Sequence, residues 1–158
     1  MLATMVTLRR YVPADCDATV EIFLRAIREV ASKDYTPAQI EAWAQVADRQ
    51  AWAERRSNRP TWVAEAADLP IGFADLGSDG HLDMMFVYPG HQGIGAATAL
   101  LRTIEEEARA LGLSRIFTEA SLTARPFFER RGFVVLTRQS VEKRGQALAN
   151  FRMGKLLP

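Results

Sequence analysis

The sequence predicts a mixed α/β domain, and three observations predict it. Apolar residues recur at three and four in the first third of the chain and switch to strand-like runs near the middle. Glycine, proline and aspartate clusters punctuate the runs. From His81 onward a strand, a helix and a second strand follow one another, a crossover that makes the two strands parallel neighbours.

Taken in order, Val6–Tyr11 reads as a strand ended by Pro13. A helix is expected from about Asp15 to Ala31, with Val20, Phe23, Leu24, Ile27 and Val30 on one stripe. Ser32–Pro37 interrupts it. Thr36 then caps a second helix with Pro37 in its first turn and Ile40, Trp43 and Val46 along it, and Asp48 caps a short third helix carrying Trp52. Thr61–Ala66 and Ile71–Leu76 are strands joined at Asp68-Leu69-Pro70, and His81–Val87 completes a meander. A helix from about Gly95 to Leu111 stops at Gly112, Ser114–Glu119 is a strand, and Thr123–Arg131 is a helix closed by Gly132. Phe133–Gln139 and Asn150–Leu156 are the last strands. One domain over residues 1–158 is expected, since no linker or repeat divides the chain.

Composition narrows the function. Twenty basic residues against 19 acidic give a net charge of +1, without the basic excess of a nucleic-acid binder. One cysteine, Cys16, and two histidines, His81 and His91, show no metal-ligand spacing, so no metal is expected. Met1–Arg10 lacks a secretory pattern, and no run approaches the roughly 18 apolar residues of a membrane span. The expectation is a cytoplasmic protein with no nucleic-acid or membrane partner.

The chemistry concentrates at Val87-Tyr88-Pro89-Gly90-His91-Gln92-Gly93-Ile94-Gly95-Ala96-Ala97, where a strand passes through a loop of small residues into a helix. The first N–H groups of a helix lack partners and, with the helix dipole, attract an anion. There is no Gly-Lys-Ser/Thr for a triphosphate loop and no G-x-G-x-x-G for a dinucleotide fold. A loop whose glycines serve only to turn the chain is the plain alternative.

Gln92-Gly93-Ile94-Gly95-Ala96-Ala97 resembles the Gln/Arg-x-x-Gly-x-Gly/Ala signature of GNAT acetyltransferases. Ser121-x-x-Ala124-x-x-Phe127-Phe128-x-x-x-Gly132-Phe133 is similar to the later Asn-x-x-Ala-x-x-Phe-Tyr-x-x-x-Gly-Phe of that family. The element order agrees over nearly the whole chain. The resemblance implies a mixed, mostly antiparallel sheet flanked by helices, with a parallel central pair splayed around acetyl-CoA. It implies that the loop from Gln92 through Gly93, Ile94, Gly95, Ala96, Ala97 and Thr98 holds the pyrophosphate, and that Met85, Phe86 and Val87 meet the pantetheine. Ser121 stands where the usual Asn contacts the cofactor, with a local turn cap as its other reading. Ala124, Phe127 and Phe128 complete the implied cofactor wall.

The implied reaction is direct acetyl transfer to a primary amine of a small molecule or peptide. Neutralising an ammonium of pKa near 10.4 at pH 7 takes about 4–5 kcal/mol, so a base is valuable. Asp83 is the first candidate, sharing a face with Met85 and Val87 if strand alternation holds, and Glu119 is the second. A strand N–H near Phe86 or Val87 would meet the oxyanion. Phe128 departs from the family, which often has a tyrosine there to protonate the thiolate. Tyr35, Tyr88 or water is left for that step. Tyr35 and Trp43, with Asp83, are the candidate acceptor contacts. A non-catalytic acyl-CoA-binding module is the competing function, and a homodimer is a possible assembly.

Overall fold

A computed structural model describes residues 5–91 and 93–158. Strand β1 (Val6–Arg10) passes through a short 3-10 turn at Pro13–Asp15 into helix α1 (Cys16–Glu29). Helix α1 buries Val20, Ile22, Phe23, Ala26 and Ile27, the stripe that three-and-four spacing produces. A 3-10 turn at Ala31–Lys33 leads to α2 (Pro37–Trp43). There Thr36 accepts from Gln39 N and the Gln39 side chain accepts from Thr36 N, a reciprocal cap. Asp48 likewise accepts from Ala51 N to start α3 (Arg49–Ser57).

Strands β2 (Thr61–Ala66), β3 (Leu69–Leu76) and β4 (Leu82–Val87) form a meander, and with β1 they make a sheet ordered β1-β2-β3-β4, antiparallel throughout. Helix α4 (Ala96–Ala110) crosses to β5 (Arg115–Ser121). After α5 (Arg125–Glu129), the hairpin β6 (Val134–Lys143) and β7 (Gln146–Leu156) completes a second antiparallel sheet ordered β5-β7-β6. Among the described residues the sheets meet at one parallel bridge, His81 with Phe117.

Two apolar clusters cover opposite faces. One packs Leu100, Leu101 and Ile104 of α4 on Leu82, Val87, Ile116 and Ala120. The other packs Val20, Phe23 and Ile27 of α1 on Val63, Phe73 and, further along, Leu148. The result is a helix–sheet–helix layering with mixed α/β character, as the sequence predicts. Among the described residues no helix is long and apolar enough to cross a membrane.

Several boundaries differ from expectation. The β2–β3 turn falls at Ala67 and Asp68, both at positive φ, so β3 starts at Leu69 and carries Pro70 beside a bulge at Ala64/Glu65. The last two strands extend beyond Gln139 and start before Asn150, meeting in a hairpin closed by Arg144 (φ 46°) and Gly145 (φ 84°). Helix α5 has five residues rather than nine, because Thr123 and Ala124 form a turn ahead of it and Arg130 and Arg131 a turn behind it.

Candidate active site

Strands β4 and β5 part company just beyond their bridge. Phe117 N–H donates to Gly80 O at 3.0 Å and Thr118 Oγ donates to Leu82 O at 2.8 Å. Past these links the strands diverge, and a cleft of about 600 Å³ opens between them. Tyr88 N–H donates to Ile71 O. Because successive N–H groups along a strand point to opposite sides, the amides of Met85 and Val87 turn away from β3 and toward this gap.

The cleft ends at the N-terminus of α4. Gly95, the residue before the helix, has φ 89°, a left-handed conformation that glycine adopts without cost. A Cβ at Gly95 would touch nothing, so the glycine serves the turn rather than a tight packing contact. The first turn carries no acidic side chain, and the first helical bond is Ala99 N–H to Gly95 O at 2.9 Å. The amides of Ala96, Ala97 and Thr98 therefore remain free of helical partners, with the positive end of the dipole behind them.

Of the residues assigned to the cofactor from sequence, Met85, Phe86, Val87, Gly93, Gly95, Ala96, Ala97 and Thr98 line this cleft from the β4–α4 side. Ser121, Ala124, Phe127 and Phe128 line it from the β5–α5 side. Ile94 packs against the α4 core cluster instead, and Gln92 lies outside the described residues. Ser121 Oγ accepts from Ala124 N–H at 3.0 Å, so it caps the turn and still has its own proton to donate. Phe128 is buried edge-on against Phe127 and Phe133, with centroids 5.3 and 5.0 Å away. Trp43 also reaches the cleft, as do His91, Arg130 and Arg131. The arginine pair was missed from sequence, although the doublet directly before Gly132 stands inside the second motif.

Two expected site residues are turned elsewhere. Tyr35 is buried and off the cleft wall. Its hydroxyl donates to Ala149 O at 2.6 Å and accepts from Leu122 N–H at 2.9 Å, so its single proton is committed. Burial raises its pKa. Its ring still meets Trp43 edge-on at 5.6 Å.

Asp83 is displaced by a bulge. The β3–β4 register shifts between Ala74 and Leu76, and Leu82 and Met85, three residues apart, pack on the same cluster. Alternation therefore slips at Asp83-Met84, and Asp83 does not share the face of Met85 and Val87. It faces Arg55 at 3.2 Å, Arg59 at 3.9 Å and Arg56 at 4.0 Å. Arg56 is fully buried and pairs with the equally buried Asp75 at 3.1 Å, while Asp75 Oδ1 accepts from Met84 N–H at 2.9 Å. Burial lowers the pKa of Arg56 and raises that of Asp75 against their mutual attraction.

Glu119 is better exposed. Ile116 and Ala120 point to the α4 cluster, so Phe117, Glu119 and Ser121 point to the other face of β5. The Glu119 carboxylate lies 2.9 Å from His81 Nε2, and the His81 ring stacks on Phe117 at 4.8 Å. Tyr88 stands near the loop, its hydroxyl accepting from Arg25 while the Arg25 guanidinium covers its ring at 4.6 Å.

Residues 31–155 match the acetyltransferase (GNAT) domain family. The chain is 38% identical over 148 residues, 94% of each sequence, to the uncharacterized N-acetyltransferase YafP of Escherichia coli strain K12. A crystal structure of a GCN5-related N-acetyltransferase from Rhodopseudomonas palustris superposes with a TM-score of 0.94 at 37% identity, covering 99% of both chains. The PaiA N-acetyltransferase of Thermoplasma acidophilum, solved with coenzyme A, shares the fold at a TM-score of 0.78 and 17% identity over 96% of this chain and 99% of that one.

Proposed function

Because this chain belongs to the GNAT family of acetyltransferases, we propose that it moves an acetyl group from acetyl-CoA directly to a primary amine of a small molecule or peptide. One observation carries the reading. A single cleft joins unpaired helix-N-terminal amides to a gap between parting strands, which suits a ligand with a diphosphate at one end and an amide-bearing chain at the other. Coenzyme A has that form. In this reading the amides of Ala96, Ala97 and Thr98 bind the pyrophosphate. The amides of Met85 and Val87 bind the pantetheine and the thioester carbonyl, and Ser121 donates its hydroxyl proton to the cofactor.

The amine nitrogen attacks the thioester carbon, an oxyanion forms, and collapse breaks the C–S bond. Val87 N–H supports the oxyanion, since it points into the gap. Glu119 serves as the base, directly or through a water, because its carboxylate is solvent-reachable and, among the described residues, pairs only with His81. Asp83, surrounded by arginines, is the weaker candidate. Phe128 lacks a proton, the Tyr35 proton is committed and Tyr88 is not among the residues lining the cleft, so CoA leaves as the thiolate, tolerable for a group of pKa near 8.5. Trp43 and the neighbouring apolar surface of α1 shape the acceptor end.

The test is thiol release from acetyl-CoA with a panel of primary amines. Glu119→Gln is expected to lower kcat by about a hundredfold, within the range for general-base catalysis, with little change in KM for acetyl-CoA. Unchanged kcat in Glu119→Gln together with a collapse in Asp83→Asn would return the base to Asp83. Tight CoA binding with no amine acetylated would favour the binding-module alternative.

A further inference from the structure

The face of the second sheet that carries Glu119 also carries a cation the reaction does not use. Glu119 of β5 and Arg152 of β7 are direct partners across the antiparallel pair. Side chains so paired rise from one face with their Cβ atoms about 5 Å apart. Phe151 and Met153 turn to the α4 cluster, which agrees with Arg152 facing the other way, beside Glu119. Opposite charges at such positions commonly close on each other. Here they do not. Glu119 turns to His81 Nε2 at 2.9 Å. The exposed Arg152 lays its guanidinium over the Phe117 ring at 5.0 Å. Phe117 is in turn stacked on the His81 ring, 4.8 Å away and 4° from parallel. Among the described residues Arg152 has no carboxylate oxygen within 4.0 Å. The two charges also stand in a definite order. Ser121, two residues past Glu119 on the same face, lines the cleft, while Phe117, two residues before it, belongs to the seam. The guanidinium over Phe117 therefore lies on the side of Glu119 away from the cleft.

We infer that Arg152 binds a carboxylate of the acceptor, so that the amines acetylated are free amino acids, with the carboxylate a few bonds from the amine. The inference rests on the acetyl-transfer reading above, with Glu119 as the base. An ammonium held at Glu119 faces the cleft, and a carboxylate on the same small molecule reaches back to the guanidinium. A zwitterion thus meets an anion and a cation in matching order. The planar guanidinium presents paired N–H donors to a carboxylate, and the Phe117 ring beneath it fixes the plane in which they point. An amine without a carboxylate loses that contact. A diamine fares worse, because its second cation is set beside Arg152.

Thiol release from acetyl-CoA, measured with amino acids and their decarboxylated partners, tests the site. Suitable pairs are phenylalanine with phenethylamine, leucine with isoamylamine, and lysine with cadaverine. The wild-type protein is expected to favour the amino acid in kcat/KM by at least tenfold in one or more pairs, the scale of a charge-assisted contact. Arg152→Gln should lower kcat/KM for that amino acid at least tenfold more than for its partner, chiefly through KM. Arg152→Lys, which keeps the charge without the fork, should retain part of the preference. Thermal melting checks that both variants are folded. Because each variant is read as a ratio within a pair, differences in amine basicity cancel. A wild-type protein that acetylates the decarboxylated amines as well as or better than the amino acids would overturn the proposal and leave the acetyl-transfer reading intact. An equal loss for both members of a pair in Arg152→Gln would assign Arg152 to the sheet and also overturn it. Acetylation of no amine in the panel would remove both readings.

Discussion

At the scale of single residues, the hydroxyls of Tyr35 and Tyr11 do opposite things. The Tyr35 hydroxyl ties the segment before α2 to both β5 and β7, through Leu122 N–H and Ala149 O. Tyr35→Phe takes this partner from two part-buried backbone groups and should cost about 1–3 kcal/mol in urea unfolding. Its kcat at pH 7 should stay near wild type. A large drop in kcat without loss of stability would restore Tyr35 as the thiolate's proton donor. Among the described residues no group meets the buried Tyr11 hydroxyl in hydrogen-bond geometry, Thr19 being its nearest polar influence. Burial, aided by Cys16 and Asp15, pushes it up to about 12 from 10.0. The folded-state pKa lies above the unfolded one. Tyr11 therefore contributes stability that is intact below pH 10 and lost as the pH rises toward 12. Tyr11→Phe should unfold less steeply over that range and lose little at pH 7, as chemical denaturation at both pH values would show. No sequence pattern separates these two tyrosines. Hydrogen-bond partners more than 80 residues away decide between them.

At the scale of elements, the wall of the cleft was legible because it rests on local signals. Small residues after a strand and before a helix specify the loop, and Ala124, Phe127 and Phe128 follow Ser121 at fixed spacing on one short turn and helix. The face of Asp83 was not legible, for the complementary reason. Alternation places it beside Met85, but the bulge opposite Asp75 adds a residue, and only the tertiary fit of α3 shows why. Arg56 of α3 reaches into the β3–β4 pair, where Asp75 faces it and Met84 Sδ lies 2.9 Å away. This buried ion pair fixes the bulge between α3 and the sheet. Arg56→Met leaves Asp75 as an uncompensated buried acid and should cost about 3–5 kcal/mol. Adding Asp75→Asn removes the stranded charge while keeping an oxygen for Met84 N–H, and should recover most of the loss in a double-mutant unfolding cycle. A double variant no more stable than Arg56→Met would show that the guanidinium matters for its packing on Trp52 rather than for its charge.

At the scale of the whole molecule, two antiparallel sheets are joined at a seam one bridge wide, and the width of the cleft depends on that seam. The parallel neighbourhood of the two strands was legible, since a crossover helix of this length admits little else. The place where the strands stop pairing was not, because it depends on how closely two distant backbones approach. Gly80 sets that approach. It has φ 93°, its carbonyl accepts from Phe117 N–H, and a Cβ would lie 2.6 Å from Arg115 O. Gly112 has φ 78° but open space around it, so an alanine there meets only the left-handed penalty of about 1–2 kcal/mol. Gly80→Ala meets that penalty and a backbone clash, which only a shift of β5 away from β4 relieves. It should therefore melt at a lower temperature than Gly112→Ala and exchange the Phe117 amide faster. It should also bind CoA more weakly, since amides aimed into a widened gap no longer reach the ligand together. If Gly80→Ala matches Gly112→Ala in all three measurements, the seam does not set the cleft, and the splay is held by the helices on either side.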